Sequence, residues 1–332
     1  MLLTAYLKAA SVKRVTNLLR VSLNYIGYIW FRRLIFSHKP LGLSIETSAV
    51  CNLACPACAQ GSGIIDRNRR FFDFEKYKEI VDTLGDYLWN INLYFQGEPL
   101  MNPDLDLFIS YAAARKIPVT VSTNGYCLEH FARKLVNSGL TKLIISVDGI
   151  TPETHQAYRI NSDFNKLCGG IQKIVAEKRI SDSRFPILES QFLVMKHNEH
   201  EIEQYVRWAR QMGFDIVRLK SVQLEANDIS LLPSEAKYSR YYSGSNGDIK
   251  IKNPLKNRCY RMLSSVVVSA DADVLPCCFD KTAAWRYGNL YVNTMQQILQ
   301  SNESRKFREM VFSERKNIDI CKNCTEGLKI KY

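Results

Sequence analysis

Cys51, Cys55 and Cys58 stand in the spacing Cys-x3-Cys-x2-Cys, within the run Cys51-Asn52-Leu53-Ala54-Cys55-Pro56-Ala57-Cys58. Soft thiolates crowded on one short stretch are metal ligands by residue type. A cube of four irons held by three thiolates keeps one iron without a protein ligand, open to the amino and carboxylate groups of a bound amino acid. The plainer readings are a zinc site short of its fourth ligand, or three buried cysteines. Cys259, Cys277, Cys321 and Cys324 form a second set in the last quarter of the chain, the final two as a Cys-x2-Cys pair. Four thiolates close a cluster, and they equally suit structural zinc. Cys278 adjoins Cys277, and neighbours on a strand point to opposite faces, so one of the two is a ligand and the spacing favours Cys277. Cys127 and Cys168 read as small buried hydrophobes.

The elements that must position these thiols alternate along the chain. Apolar runs at Leu43 to Thr47, Ile91 to Phe95, Val119 to Ser122, Leu143 to Val147, Ile187 to Val194 and Ile216 to Lys220 read as strands. Helical periodicity falls between them, at Phe74 to Leu84, Leu105 to Arg115, Glu129 to Ser138, Phe164 to Lys178 and Ile202 to Met212. Such repetition predicts parallel βα units, as a barrel or an open sheet, with right-handed crossovers bringing the strands' C-terminal ends to one face. The cysteine loop follows the first strand. Gly97-Glu98-Pro99 follows the second, Ser122-Thr123-Asn124-Gly125 the third and Ser146-Val147-Asp148-Gly149 the fourth, with His155 and Arg159 on the next helix. A polar, turn-rich segment, 226–258, reads as a linker. A hairpin is expected at Leu263 to Ser269 and Val274 to Leu275, then a helix from Thr294 to Phe312.

On these motifs the chain resembles the radical S-adenosylmethionine (SAM) superfamily, whose Cys-x3-Cys-x2-Cys loop occupies this place. The resemblance covers residues 42–332 and implies an α/β fold: a partial (β/α)6 TIM-like barrel over 42–225 and a small C-terminal α+β iron–sulfur domain over 259–332. It implies a SAM-binding [4Fe-4S] cluster on Cys51, Cys55 and Cys58. Gly97, Glu98 and Pro99 are then expected at the SAM amino group, with Glu98 as acceptor. Ser122 and Asn124 are expected at the ribose, with Ser146 and Asp148 at the next strand end and Arg159 near the SAM carboxylate. The usual aromatic before the last loop cysteine is Ala57 here, and the usual glycine before Gly97 is Gln96. The C-terminal layout resembles the shortened SPASM, or twitch, domain, implying a second auxiliary [4Fe-4S] cluster on Cys259, Cys277, Cys321 and Cys324. Reduced flavodoxin or ferredoxin is the electron donor that such chemistry implies.

With 332 residues, 46% hydrophobic and 23% charged, the composition is that of a folded globular protein. The net charge of +12 is concentrated at the start, where residues 1–45 hold Lys8, Lys13, Arg14, Arg20, Arg32, Arg33 and Lys39 and no Asp or Glu. Residues 1–41 read as a basic amphipathic helical extension. It either packs on the barrel with its basic residues at the solvent edge, or lies at an anionic membrane face, since its longest uncharged run, 11 residues, is too short to span a bilayer. Nucleic acid is the less fitting partner for a charge placed on an apolar helix. Without an evident secretion signal the thiols are expected reduced, in the cytoplasm.

The resemblance favours net oxidation of a small molecule, with the auxiliary cluster as electron acceptor, ahead of peptide or protein modification by crosslinking or formylglycine formation. Against a ribosomal-peptide role, the 41 residues before the barrel are short for a leader-binding module. A cyclase of molybdenum-cofactor type would carry a double-glycine tail, which Glu326 to Tyr332 does not contain. A non-enzymatic iron–sulfur or zinc protein would leave the strand-end motifs without purpose. The catalytic acid or base is unassigned, with Lys220 and Glu225 singled out by position alone.

Overall fold

The structure is a computed structural model that describes residues 2–224, 229–243 and 249–325. Glu225, Gly244, Asn246, Gly247 and the tail Glu326 to Tyr332 lie outside the described residues.

Six strands build the frame: β1 (Gly42–Ile45), β2 (Asn90–Asn92), β3 (Val119–Thr123), β4 (Lys142–Ser146), β5 (Ile187–Val194) and β6 (Ile216–Ser221). They pair in sequence order and all in parallel. Alternation explains their two faces. Leu43, Ile45, Ile91, Leu93, Val119, Val121, Leu143, Ile145, Leu188 and Phe192 join the main core under the helices. The intervening positions, among them Ser44, Asn92, Ser122, Ser146 and Gln191, are half-buried and face the other side. β2 stops at Asn92, short of the expected Phe95, as the chain turns toward Gly97.

The outer layer is α3 (Phe74–Leu84), α4 (Leu105–Ala114), α5 (Leu128–Asn137), α6 (Pro152–Tyr158), α7 (Phe164–Ile180) and α8 (Ile202–Gln211). Side-chain caps fix three of the starts: Asp73 accepts from the Lys76 amide, Asp163 from the Lys166 amide, and Thr151 forms a capping box with Thr154.

The C-terminal strands β9 (Ser265–Val268), β10 (Asp273–Leu275) and β11 (Gly288–Asn289) extend the same sheet. β9 pairs in parallel with β1, and β10 and β11 continue antiparallel, giving nine strands with β6 and β11 as the edges. No pairing joins β6 to β11 among the described residues, so the barrel is partial. Two expectations need correcting here. Leu263 belongs to a short helix, α9 (Arg261–Ser264), and not to the hairpin. The helix expected from Thr294 to Phe312 is two, α10 (Met295–Leu299) and α11 (Asn302–Glu314), because the Ser301 side chain caps a fresh start on the Ser304 amide. A short α12 (Asp319–Lys322) precedes Cys324.

The segment expected as a linker contains an antiparallel hairpin, β7 (Tyr241–Ser243) with β8 (Ile249–Ile251). Leu232 and Tyr241 are buried in one small apolar cluster with Leu53, Cys55, Tyr158, Val222 and Leu224, and Ile249 and Ile251 pack against it.

At the other end, α1 (Leu2–Ala9) and α2 (Val12–Phe31) lie on the barrel's outside, α2 burying Val21 and Tyr28 together with polar residues. Arg14, Asn17 and Asn24 point inward and are buried. The Arg14 guanidinium donates to the carbonyls of Gly85 (2.9 Å), Lys116 (3.1 Å) and Arg115 (3.3 Å), the spent ends of α3 and α4, where a cation is favoured. Asn24 accepts from the amides of Ile35 (2.9 Å) and Phe36 (2.8 Å), and Asn17 exchanges two hydrogen bonds with Lys39. Val12, Val15, Leu19, Leu23, Ile26 and Trp30, spaced as one helical stripe, are left exposed. No helix of the described residues is long and apolar enough to cross a membrane.

Candidate active site

The cysteine loop leaves β1 at the C-terminal end of the sheet and is held by its neighbours' strand ends. The Asn124 amide nitrogen donates to Asn52 Oδ1 (3.0 Å) and lies 3.7 Å from Cys51 Sγ, while its oxygen accepts from the Tyr126 amide (2.9 Å). The Leu53 amide points at Cys51 Sγ (3.5 Å), and the Ala54 amide donates to the Ile160 carbonyl (3.1 Å). Burial pushes the Cys51 thiol up to about 11. It raises Cys55 as well, against the pull of Arg159. Thiols this buried give up their protons to a metal rather than to solvent.

Glu98 is buried and is held by three short contacts. One oxygen accepts from Thr123 Oγ1 (2.6 Å) and the Leu100 amide (3.0 Å), and the other from the Asn124 amide (2.7 Å). A carboxylate has about four acceptor positions, so one remains for an ammonium. Gly97 also has a role within the chain. A Cβ there would sit 2.1 Å from the Ser48 carbonyl oxygen and 2.8 Å from its carbon, so the close approach is to the chain that enters the cysteine loop. Pro99 opens a short 3-10 turn, Pro99–Met101, capped by Glu98. Gly97→Ala is expected to cost about 1–3 kcal/mol of stability and to lower iron loading of this loop, as read by thermal unfolding and iron analysis. Unchanged stability would show that the loop gives way freely.

Asp148 is likewise buried. One oxygen accepts from Arg159 Nε (2.6 Å) and the other from the Leu193 amide (2.7 Å). Its backbone amide donates to His155 Nδ1 (3.2 Å), and Asn198 holds its carbonyl (3.0 Å). His155, 1% exposed, is pushed down to about 4 by burial, which keeps it a neutral acceptor. Arg159 ends α6 and reaches Cys55 Sγ at 4.0 Å; burial works against its charge, but Asp148 and Cys55 keep it protonated. The hydroxyls of Ser122 and Ser146 face the barrel interior, half-buried.

The second cysteine set also gathers. Cys321 and Cys324 are buried at the turn of α12, and burial pushes Cys321 up to about 11. Cys277 is raised strongly by burial and then by Cys278, and it feels Cys259 and Cys321. Cys278 instead lies on the interior side, lining a cavity of about 390 Å³ with Ser44, Asn92 and Arg261. Arg315, buried, donates to Cys324 Sγ (3.2 Å) and to the carbonyl of Arg258 (2.7 Å). Among the described residues no three Cys, His, Asp or Glu side chains converge on one ion-sized point. The donor sets, three thiols and four, fit iron–sulfur clusters, whose thiolates sit on separate irons.

Sequence reasoning overlooked several residues here. Thr123 and Asn52 lie inside the motifs already noted. Gly61, where a Cβ would meet the Cys55 amide nitrogen at 2.6 Å, and Arg315 carry no local signal. Tyr241 accepts from the Leu224 amide (3.0 Å) and donates to Asn323 (2.5 Å), so the hairpin segment touches both cysteine sets.

The Radical SAM superfamily profile matches residues 45–209, and the iron–sulfur cluster-binding SPASM domain matches residues 259–325. Mycofactocin maturase MftC of Mycolicibacterium smegmatis is 28% identical over 176 residues, 52% of this chain and 43% of that protein. A probable GTP 3′,8-cyclase of Methanocaldococcus jannaschii is 26% identical over 179 residues, 54% of this chain and 58% of that one. The chain thus aligns with about half the length of these relatives. Streptococcus suis SuiB bound to S-adenosylmethionine superposes with a TM-score of 0.65 at 12% identity, covering 95% of this chain and 78% of SuiB. AnSMEcpe with bound AdoMet gives 0.58 at 17%, covering 86% and 88%. These likenesses carry the fold alone. The two profile matches fall on the two cysteine sets, and the chain belongs to the radical SAM superfamily, with a C-terminal SPASM iron–sulfur domain.

Proposed function

We propose that this chain catalyses a SAM-dependent two-electron oxidation, with Cys51, Cys55 and Cys58 holding the SAM-binding cluster and Cys259, Cys277, Cys321 and Cys324 the auxiliary one. The observation that carries the reading is the pair of thiol sets linked by one segment, Leu224 to Tyr241 to Asn323. When bound, the first cluster and SAM supply a 5′-deoxyadenosyl radical by one-electron cleavage, and the second cluster supplies an electron acceptor. With both groups bound, the substrate would give up one hydrogen atom, one electron and one proton, a net two-electron oxidation. The external electron is assigned to reduced flavodoxin or ferredoxin. Glu98 keeps one acceptor position for the SAM ammonium and otherwise fixes Thr123 and Asn124, which in turn fix the loop. Asp148 aims Arg159, and the guanidinium is assigned to the SAM carboxylate. Ser122 and Ser146 are assigned to hydroxyl contacts, and the apolar cluster around Leu53 and Tyr241 to excluding water.

The test is anaerobic reconstitution of wild type and of Cys321→Ala/Cys324→Ala. The variant is expected to lose about four irons, to cleave SAM with dithionite and to yield no oxidised product. Oxidised product from the variant would remove the acceptor role. Peptide modification is the alternative in substrate, since a curated relative is named a maturase.

A second reading places the enzyme at the cytoplasmic face of an anionic membrane. It is supported by the outward stripe Val12, Val15, Leu19, Leu23, Ile26 and Trp30, flanked by exposed Lys8, Arg20 and Arg33. Flotation with phosphatidylglycerol-containing vesicles is expected to carry wild type and to leave Leu23→Gln/Trp30→Gln behind. Equal behaviour of the two would sink the idea, and the substitutions touch no buried contact.

A further inference from the structure

The inner face of a TIM-type barrel is ordinarily packed with branched apolar side chains. Here the wall made by β4, β5 and β6 carries charge instead. Glu189, 2% exposed, receives Lys142 Nζ and Arg218 Nε on the same oxygen, each at 3.3 Å, and Gln191 on the other at 3.2 Å. Gln191 pairs in register with Arg218, and Leu193 with Lys220, so the inward side chains rise in steps toward the strand ends. Lys220 makes no ion pair among the described residues, although burial lowers its pKa and Arg218, Lys142 and Arg240 lower it further against the pull of Glu189. Arg240 is anchored on the end of β6 through Ser221 (2.9 and 3.0 Å). Among the described residues Lys142, Arg218 and Lys220 thus face one carboxylate, Glu189, that the first two already engage, while Arg240 is held on Ser221 and Gln223. A half-buried ammonium left over in that setting is stabilised by an anion that the described residues do not supply.

We propose that the barrel interior binds an oxyanion of the substrate, a carboxylate or a phosphate, between Lys220 and Arg218. The proposal rests on the oxidation reading above and names its substrate class. Lys220 stands beside Leu193, whose amide holds Asp148, and Asp148 aims Arg159 at the cysteine loop. An anion gripped at Lys220 and Arg218 therefore lies below the loop on the inward face, and the carbon chain attached to it extends toward the cysteines. Recognition by this charged wall would also disfavour neutral analogues, which leave the half-buried Lys220 ammonium uncompensated beside the exposed Arg218.

The test is isothermal titration of the anaerobically reconstituted holoenzyme with inorganic phosphate and, separately, with succinate. SAM cleavage is measured on the same preparations. Lys220→Met and Arg218→Met are expected each to weaken binding at least tenfold, whereas Lys237→Met, an exposed lysine paired with Glu235, leaves it unchanged. Glu189→Gln, which releases Lys142 and Arg218, is expected to tighten binding several-fold. Tighter binding of phosphate assigns a phosphorylated substrate, and tighter binding of succinate a carboxylated one. Binding of neither anion by wild type, or equal binding by wild type and Lys220→Met, overturns the proposal. Absence of SAM cleavage in wild type would overturn the oxidation reading instead and leave the binding result standing. Removal of Lys220 breaks no ion pair among the described residues, and thermal unfolding of each variant separates lost binding from lost fold.

Discussion

Changing Cys51, Cys55 and Cys58 together to alanine is expected to take the iron content from about eight atoms per chain to about four and to abolish SAM cleavage, by iron and sulfide analysis, EPR and 5′-deoxyadenosine formation. The effect is all-or-none because the site relies on nothing else. The loop is supported from outside by Asn124, Gly97 and Arg159, but none of these supplies a thiolate. With the ligands gone the surrounding hydrogen bonds still hold the backbone, so the chain keeps its secondary structure by circular dichroism. If iron instead falls from about four to none while zinc is retained, the C-terminal cysteines are structural and the oxidation loses its acceptor.

Asp148→Ala carries the next largest effect, an expected loss of about 3–5 kcal/mol of stability, because it strands a buried guanidinium and leaves the Leu193 amide without its acceptor. Arg159 then has no reason to point at Cys55, and SAM affinity is expected to fall at least tenfold. Asp148→Leu with Arg159→Met removes both charges at once and separates the two effects. Stability should return in large part while SAM binding stays weak. If the double variant binds SAM like wild type, Arg159 does not meet the cofactor. Urea unfolding and equilibrium dialysis of SAM give the two readouts.

Much of this was legible in the residues. β5 and α3 begin and end where alternation and helical period say they should, since Asp73 marks a start and Gly85 follows the last periodic residue. The strand-end motifs also converge as read. What escaped depends on partners distant in sequence. The part of Glu98 in bracing the site is hidden, because Thr123 and Asn124, at the end of another strand, take about three-quarters of its acceptor positions only together with the Leu100 amide. The setting of α2 is invisible because it is apolar on both sides: Val21 and Tyr28 enter the core while a second stripe stays exposed, and the inward pull on Arg14 comes from helix-end carbonyls that every sequence possesses. In the segment 226–258, Leu232, Tyr241, Ile249 and Ile251 are isolated apolar residues among polar ones, too sparse to announce that they cover the cysteine loop.

The parallel pairing of β9 with β1 has a consequence for biosynthesis. β1 carries the cysteine loop and sits inside the finished sheet, yet one of its two neighbours lies more than 200 residues downstream. As the chain leaves the ribosome, β1 through β6 are complete while β1 is still an open edge, with Glu46 lacking the Ala270 amide that later closes on it. Cys51, Cys55 and Cys58 are therefore translated early, while the strand that leads into them gains its second neighbour late. The edge shuts only when the C-terminal quarter, with its own five cysteines, folds onto it.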